Sequence, residues 1–206
     1  MWTRSHRLML EATLGLAGAG AVGTAGMWPR HPAQPGDTAV QSAAADQGEL
    51  ILARLKLERA DAVIEYSTRY QITADLAAAV LDAALAEGVE PGLAFALVKA
   101  ESDFNPRARS PAGAVGYTQI LPSTARLYEP GLTERQLYER RTNLHLGFRY
   151  LRDLLERYEA APEAQTRLAL LAYNRGPATV QALLDAGRDP QNGYSTSVLK
   201  RYRRKS

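Results

Sequence analysis

The chain has 206 residues, and none of them is a cysteine. It therefore has no disulfide, no thiol nucleophile and no N-terminal cysteine for lipid attachment. Its histidines are few and scattered, at His6, His31 and His145, and neither an H-E-x-x-H spacing nor a phosphate-binding loop occurs. We therefore expect no metal, no other cofactor and no nucleotide chemistry.

The composition otherwise suits a small globular protein. Hydrophobic residues make up 46% and charged residues 23%, which is enough for a core in one domain with an extension. The net charge of +3 suits an anionic polymer as partner, and an arginine-rich composition without functional meaning explains it equally well. Residues 200–205 are basic; we interpret them as a solvated helix end rather than a nucleic-acid site.

The N-terminus has the pattern of a membrane-targeting segment. Arg4 and Arg7 precede the apolar residues 8–27. Glu11 interrupts this stretch and leaves an uncharged run at the short limit for a spanning helix. A cleaved signal peptide and a retained membrane anchor over residues 1–28 both remain open. Both place the rest of the chain on the far side of the cytoplasmic membrane.

A linker and an amphipathic helix are predicted next. Residues 29–47 contain three prolines followed by small and polar residues, which is typical of a linker. Two interpretations of the helix remain open. Either the helix packs on the following domain, or it contacts an envelope protein through residues 50–70 as a short coiled coil. Packing on the domain is favoured because the apolar pattern lasts only about two heptads, fewer than a coiled coil needs. The helix is indicated by apolar residues at alternating spacings of three and four: Leu50, Ala53, Leu57, Ala60 and Ile64.

A second helix completes the N-terminal helical region over residues 48–88. Thr73 is a favourable N-cap, and Asp75 in the first turn suits the helix dipole. Gly88 is predicted to end this helix.

The following helix carries a single acid on its apolar face. Pro91 suits its first position, and Leu93, Leu97 and Glu101 recur at four-residue spacing. A carboxyl group on that face loses hydration, which favours its protonated form and suits it to act as a general acid near neutral pH. Asp103 points elsewhere, so the pattern isolates one acid.

A glycine-rich loop follows this acid. Residues 101–106 read E-S-D-F-N-P and, after Ser110, residues 113–125 read G-A-V-G-Y-T-Q-I-L-P-S-T-A. Gly113 and Gly116 can adopt positive φ or let the backbone approach a ligand closely. A plain turn is the alternative for both glycines.

These residues resemble the opening motif of the soluble lytic transglycosylase (SLT) domain family, in the lysozyme-like superfamily, whose members cleave bacterial peptidoglycan. Residues 143–151 (N-L-H-L-G-F-R-Y-L) and 169–177 (A-L-L-A-Y-N-R-G-P) resemble the two later family blocks in the expected order. Three ordered blocks are far more specific than one short motif. Tyr117, where Leu or Met is usual, and Arg175, where Ala is common, depart from the family pattern and bear on the subsites rather than the reaction.

The resemblance implies that Glu101 is catalytic and that the Tyr173 hydroxyl hydrogen-bonds it. It also implies that Gln119 lies beside the scissile bond, where its amide suits sugar hydroxyl or acetamido groups. Ser110 can instead be an ordinary loop serine, and Asn174 a helix-terminal residue. The substrate-binding residues implied by the resemblance are Ser110, Gly113, Gly116, Tyr117, Gln119, Tyr173, Asn174 and Tyr194.

The remaining chain is helical in pattern. No stretch alternates regularly, so no sheet is expected apart from a short hairpin near residues 113–119. Together with the resemblance, this predicts an all-α, lysozyme-like catalytic domain over residues 89–206, with helices around a substrate groove. Three further helices, the last starting at Pro177, are indicated by apolar stripes at Leu144, Phe148, Leu151, Leu155 and Tyr158, at Leu168, Leu171 and Ala172, and at Val180, Leu183 and Leu184.

The resemblance also implies a reaction that uses one carboxyl group, where ordinary glycosidases use two. Glu101 would protonate the glycosidic oxygen between N-acetylmuramic acid (MurNAc) and N-acetylglucosamine (GlcNAc), while the muramyl acetamido oxygen stabilises the developing cation. Its carboxylate would then deprotonate the muramyl O6, which closes a 1,6-anhydro ring. Hydrolysis of the same bond and a non-catalytic peptidoglycan-binding or assembly scaffold remain alternatives. The expected location is the periplasm or cell envelope.

Overall fold

A computed structural model describes residues 35–161 and 164–203 of this protein, so the predicted targeting segment 1–28 lies outside the described residues. These residues form nine helices and no strand. The hairpin expected near residues 113–119 is present only as two isolated bridges, Arg109 to Val115 and Val115 to Ile120. The helices are α1 Pro35–Tyr70, α2 Ala74–Ala86, α3 Pro91–Glu101, α4 Pro122–Ala125, α5 Glu134–Leu137, α6 Arg140–Arg157, α7 Gln165–Arg175, α8 Pro177–Asp185 and α9 Tyr194–Tyr202.

Helix α1 starts earlier than the apolar pattern predicts. It begins at Pro35, so residues 35–47 of the expected linker are helical. No further proline follows Pro35 in this segment, and its alanines and glutamines favour helix without a periodic apolar face. Among the described helices, none has the length and apolar content needed to cross a membrane.

The chain divides into two compact units, Met1–Gln47 and Gly48–Ser206. Within the second unit the last turns of α1 pack on the domain through Val63, Tyr66 and Tyr70. Leu50 and Leu57 remain 71% and 63% exposed. The last turns of this helix therefore pack on the domain, as one of the two interpretations expects, but they do so through residues outside the apolar stripe, which stays exposed.

Helix α3 forms the centre of the core. Its residues from Leu93 to Val98 are all buried, as expected for a helix that is apolar on every side. Phe95 stacks on Tyr66 of α1 with ring centroids 4.0 Å apart. Helices α2 and α9 flank α3, and α6 packs between α2 and α7.

The predicted helix boundaries agree with these elements. The Oγ1 of Thr73 accepts a hydrogen bond from the N–H of Leu76 at 3.2 Å and caps α2, and Gly88 follows that helix with φ +70°. Pro91 and Pro177 both occupy first-turn positions of their helices. Local capping signals thus mark the starts of α2, α3 and α8.

A buried ion-pair cluster joins the end of α2 to α6. The Glu87 side chain is only 5% exposed and contacts His145 Nδ1 at 3.0 Å, Arg149 Nε at 3.1 Å and Arg152 Nη1 at 3.4 Å. Burial alone would raise the pKa of Glu87, but the hydrogen bonds from Arg149 and His145 outweigh it and hold the pKa below its usual value. Glu87 is therefore a paired carboxylate.

Candidate active site

The cap of α3 sets the direction of the helix that carries Glu101. The carboxylate of Glu90 accepts hydrogen bonds from the N–H groups of Gly92 at 3.0 Å and Leu93 at 2.8 Å. From there the buried face of the helix runs through Leu97 to Glu101, its last residue. Glu101 is partly buried, as the four-residue spacing predicts.

The residue after Glu101 fastens the glycine-rich loop to the end of α3. The Oγ of Ser102 donates a hydrogen bond to the carbonyl oxygen of Tyr117 at 2.7 Å. Within the loop, the N–H of Gly116 donates to the carbonyl of Ala108 at 2.9 Å. The loop therefore returns beside the helix end that carries the acid.

A buried asparagine of α6 holds the other side of the loop. The Oδ1 of Asn143 accepts hydrogen bonds from the Thr118 N–H at 2.9 Å and the Thr118 Oγ1 at 3.0 Å. Its Nδ2 donates to the carbonyls of Val115 at 2.9 Å and Leu137 at 3.0 Å. All four hydrogen-bonding positions of the amide are used.

Two glycines permit this close approach of loop and helix. A Cβ on Gly116, whose φ is +76°, would lie 2.3 Å from Asn143 Nδ2. A Cβ on Gly147 would lie 2.3 Å from Thr118 Oγ1. The close approach at Gly116 is therefore to α6. The sequence analysis gives Asn143 no role of its own, although it opens the second family block, in the first turn of a predicted helix and four residues before a glycine.

Tyr194, the first residue of α9, contacts the acid directly. Its hydroxyl donates a hydrogen bond to Oε1 of Glu101. The hydroxyl of Tyr173 instead donates to the carbonyl of Thr118 at 2.9 Å. The prediction that Tyr173 hydrogen-bonds Glu101 is therefore wrong, because Tyr194 takes that position and Tyr173 binds the loop.

Tyr173 nevertheless lies within electrostatic reach of the acid. Burial, followed by the charge of Glu101, raises the pKa of Tyr173 well above its ordinary value, and the same two causes raise that of Tyr194. Both phenols therefore stay protonated and can act as hydrogen-bond donors. The Tyr173 ring also packs on that of Tyr150, with centroids 5.2 Å apart.

The environment of Glu101 favours its protonated form. Burial raises its pKa to about 7, although the hydrogen bond from Tyr194 lowers it. A carboxyl group with this pKa is protonated in about half of the molecules at neutral pH, so it can donate a proton. Asp103, the next acid along the chain, is 72% exposed and pairs with Lys99.

Gln119 and Ser110 both support the backbone of the loop. Gln119 has φ +48°, and its Nε2 donates to the carbonyls of Ala108 at 3.1 Å and Gly116 at 3.0 Å. The Oγ of Ser110 accepts from the Ala114 N–H at 3.0 Å. The structure therefore brings Gln119 and Ser110 into the loop beside Glu101, but hydrogen-bonds neither to the acid.

Among the described residues, none of the other predicted site residues hydrogen-bonds the carboxyl group of Glu101. The Oδ1 of Asn174 accepts a hydrogen bond from Asn192 Nδ2 at 2.8 Å, which ties the end of α7 to the segment before α9. Gly113 has φ +84° and open space around its Cβ position. Tyr117 is 5% exposed and lines a surface groove of about 620 Å³ together with Pro106, Arg107, Tyr138 and Arg140.

The described residues contain no group of His, Cys, Asp or Glu side chains that could hold a metal ion. The site thus has one carboxyl group, Glu101, with a pKa near neutrality and a tyrosine donor on it. These features define the class: an all-helical domain with a general-acid site at the end of its central helix.

Comparison with known proteins identifies the family. A family model described as the transglycosylase SLT domain matches residues 78–192, more than half of the chain. The soluble lytic murein transglycosylase of Salmonella typhimurium is 34% identical over 123 residues, which cover 53% of this chain and 18% of the relative. The membrane-bound lytic murein transglycosylase C of Haemophilus ducreyi is 34% identical over 111 residues, which cover 49% of this chain and 30% of the relative.

A solved structure agrees with this family assignment. An inactive variant of the lytic transglycosylase Slt from Pseudomonas aeruginosa superposes with a TM-score of 0.53 at 28% identity, covering 61% of this chain and 23% of that one. The chain belongs to the transglycosylase SLT domain family, and its predicted all-α, lysozyme-like fold is confirmed. It spans less than a third of the length of these curated relatives.

Proposed function

We propose that this chain is a peptidoglycan lytic transglycosylase, which cleaves the MurNAc-GlcNAc β-1,4 bond and leaves 1,6-anhydroMurNAc ends. The observation that carries the proposal is Glu101, a partly buried acid with a pKa of about 7 that accepts a hydrogen bond from Tyr194. Family membership and the names of the two relatives, both murein transglycosylases, add support.

The single acid selects the mechanism. Burial and the Tyr194 hydrogen bond are what set the pKa of Glu101, and Asp103 is exposed and paired elsewhere. Ordinary glycosidases use a second carboxyl group as base or nucleophile. Here the muramyl acetamido oxygen takes over that role and stabilises the oxocarbenium-like transition state.

Proton transfer by Glu101 then occurs twice. The protonated carboxyl donates to the glycosidic oxygen, and the C1–O bond to GlcNAc breaks. The resulting carboxylate takes the proton of the muramyl O6 hydroxyl as O6 bonds to C1. The acid is regenerated, and no water is consumed. Tyr194 holds the carboxyl group in position during both transfers, and its phenol stays protonated throughout.

The loop residues supply the contacts to the sugar. The Nε2 of Gln119 is already bonded to two loop carbonyls, so its Oε1 is the atom offered to a sugar hydroxyl or acetamido N–H. Ser110, Gly113, Gly116, Tyr117, Tyr173 and Asn174 complete the substrate-binding set that we propose.

Muropeptide analysis tests the reaction. Purified peptidoglycan is digested with the full chain, and the released fragments are analysed by mass spectrometry before and after borohydride reduction. Anhydro products are lighter by one water than hydrolysis products and have no reducing end to reduce. Reducible muramyl ends would instead establish the lysozyme-type hydrolysis. Release of no fragment, with wall binding retained, would establish the scaffold alternative.

The proposed substrate requires the domain to lie in the periplasm or cell envelope, whether the N-terminal segment is cleaved or retained as an anchor. Fractionation of cells that express the full chain, followed by protease treatment of intact spheroplasts, measures this. We expect residues 48–206 to be degraded in spheroplasts or released with the periplasm. A protease-protected cytoplasmic protein would contradict both the location and the substrate.

A further inference from the structure

Tyr194, whose hydroxyl donates to Glu101, stands at the very start of α9. The residue before it, Gly193, has φ +82° and offers no side chain to cap the helix. The first N–H groups of a helix have no partner within the helix, so its first turn depends on contacts from outside. Whatever fixes the chain just before α9 therefore also fixes the phenol on the acid.

The segment that leads into α9, residues 189–192, has little backbone support. It forms no helix or strand, and within the described part of the chain none of its residues makes a backbone-to-backbone hydrogen bond. Side chains connect it to α9 instead. The Oδ1 of Asn192 accepts from the Tyr194 N–H at 3.2 Å, and the Oε1 of Gln191 accepts from the Ser195 Oγ at 3.1 Å. The start of α9 thus follows the position of this segment.

The end of α7 fastens the lead-in segment to the domain. Nη1 of Arg175, the last residue of α7, donates a hydrogen bond to the carbonyl oxygen of Pro190 at 2.7 Å. Pro190 is buried and Arg175 is half-buried. Since proline has no N–H, this carbonyl is the one backbone hydrogen-bonding group of Pro190, and a buried carbonyl without a partner is costly.

The contact of Arg175 is the best shielded of the three that join α7 to the lead-in segment. The hydrogen bond between Asn174 and Asn192 is exposed, and so is the ion pair of Arg167 with Asp189 at 3.0 Å. Exposed ion pairs contribute little to stability, whereas a hydrogen bond from a charged donor is stronger than a neutral one. Arg175 is therefore the principal anchor of the segment.

The same end of α7 also holds the glycine-rich loop. The hydroxyl of Tyr173, two residues before Arg175, donates to the Thr118 carbonyl at 2.9 Å. Residues 173–175 thus bind both the loop beside Glu101 and the segment that presents Tyr194. One helix end sets the spacing between the two.

We propose that Arg175 is a positioning residue, which anchors the carbonyl of Pro190 to the end of α7 and so holds Tyr194 on Glu101. It acts on the reaction through Tyr194, and its importance for catalysis rests on the proposed function. Alanine, which is common at this position of the family pattern, has no donor and cannot make this contact. The competing explanation is that α9 alone, packed on α3 through the buried Val198, holds Tyr194 in place.

The pKa of Glu101 reports whether Tyr194 is in position. Burial raises this pKa to about 7 and the hydrogen bond from Tyr194 lowers it, while Tyr173 faces the acid from α7. Arg175→Ala removes the anchor with a residue that the family pattern accommodates. The pKa of Glu101 should rise by about 0.3–1 pH unit, but no further than in Tyr194→Phe. A ¹³C NMR titration of the glutamate carboxyl carbons measures it, with the Glu101 signal identified by its loss in Glu101→Gln.

Two further variants separate the hydrogen bond from packing and from charge. Arg175→Met keeps an aliphatic stem but has no donor, so it should raise the pKa of Glu101 as much as Arg175→Ala. Arg188→Met is the matched control, because Arg188 is exposed just before the lead-in segment and its side chain makes no hydrogen bond or ion pair among the described residues. It removes the same charge and should leave the pKa of Glu101 unchanged.

A double variant decides whether Arg175 acts through Tyr194. In the Tyr194→Phe background the hydroxyl is already absent, so adding Arg175→Met should not raise the pKa of Glu101 further. A further rise there would overturn the proposal, because Arg175 would then act on the acid by another route. An unchanged or lowered pKa in the single Arg175→Met variant would also overturn it, and would show that the packing of α9 holds Tyr194.

The titration needs no substrate, so it separates this proposal from the proposed function. If the native chain releases no fragment from peptidoglycan, the proposed function fails, while the pKa values still decide whether Arg175 positions Tyr194. If the chain is active, the alkaline limb of kcat/KM should move up with the pKa in Arg175→Met and stay in place in Arg188→Met. A limb that stays in place in Arg175→Met would refute the role of Arg175 in catalysis.

Discussion

Glu87 and Glu101 are both withdrawn from solvent, but their neighbours differ. Glu87, at the end of α2, contacts His145, Arg149 and Arg152, and the hydrogen bonds from Arg149 and His145 hold its pKa below the usual value. Glu101, at the end of α3, has a neutral phenol as its hydrogen-bonding partner, and its pKa rises to about 7.

The difference shows what converts a glutamate into an acid catalyst. Both positions desolvate the carboxyl group, but only at Glu87 is the lost hydration replaced by cations. At Glu101 the burial is left largely uncompensated, so the group keeps a proton near neutral pH. Burial with counter-ions produces a structural carboxylate, and burial without them produces a general acid.

Substitution of the acid should have the largest effect. Glu101→Gln keeps the shape of the side chain but cannot donate a proton, so turnover of peptidoglycan should fall by at least about 10²–10⁴-fold. Asp103→Asn is the matched control, because it removes an exposed acid two residues away and should leave the rate near native. Near-native turnover by Glu101→Gln would refute its role.

The pH dependence of the rate should report the same group. Because the protonated form of Glu101 starts the reaction and its pKa is about 7, kcat/KM should decline above about pH 7. The decline should approach about tenfold per pH unit, or about hundredfold by pH 9. The measurement is initial rate from pH 5 to pH 9 at constant ionic strength. A rate that stays flat to pH 9 would show that another group is the acid.

Glu87 should matter for stability rather than for chemistry. Glu87→Gln removes charged hydrogen bonds from His145 and the two arginines and should lower the free energy of unfolding by about 1.5–3 kcal/mol at pH 7. The folded-state pKa of Glu87 is depressed, so its contribution is present above the unfolded pKa and is lost as pH falls through the folded one. Denaturant unfolding should show a smaller difference in the free energy of unfolding between Glu87→Gln and the native chain at pH 3 than at pH 7.

The pH response of stability should have the opposite sign at Glu101. Its folded-state pKa is raised, so its contribution is complete below the unfolded pKa and is lost as pH rises through about 7. Glu101→Gln stays neutral and should therefore gain stability relative to the native chain as pH rises from 4.5 to about 7, by about 1–3 kcal/mol, and should gain no more above that range. If the free energies of unfolding of the two proteins changed equally with pH across that range, the raised pKa of Glu101 would be contradicted.

Substitutions of Tyr194 and Tyr173 should have smaller effects on kcat/KM, and the two effects should differ in kind. Tyr194→Phe removes the hydrogen bond that lowers the pKa of Glu101, so the alkaline limb of kcat/KM should move up by as much as about one pH unit. Tyr173→Phe removes the hydrogen bond to the Thr118 carbonyl and should lower the rate without moving the alkaline limb of kcat/KM. Equal shifts for both variants would show that they act on Glu101 alike.

Local patterns were sufficient to predict the position of the acid but not its partner. Pro91 and the spacing from Leu93 to Glu101 predict the start and the buried face of α3, because capping and helical period are properties of adjacent residues. Which tyrosine reaches Glu101 depends on how α9 packs against α3, a contact between distant parts of the chain. Family resemblance suggested Tyr173, whereas the structure places the hydroxyl of Tyr194 on the carboxylate.

The same limit explains α1 and Asn143. The apolar stripe from Leu50 to Ile64 predicts a helix, but a stripe alone does not say whether it faces the domain or a partner. Asn143 is polar and lies in a helix, where most asparagines are solvent-exposed. Its burial becomes evident only once the loop from Val115 to Thr118 is folded against α6.

The loop that carries the active site depends on α6 for its shape, so the site cannot be moved as one continuous segment of chain. Asn143 makes three of its four amide hydrogen bonds with the loop, Gly147 clears space for Thr118, and Gly116 clears space for Asn143. A designer who transplants residues 101–121 into another helical scaffold would move a loop whose internal shape is specified by a helix left behind. The smallest portable unit is the loop together with the first turns of α6, and natural recombination between relatives faces the same constraint.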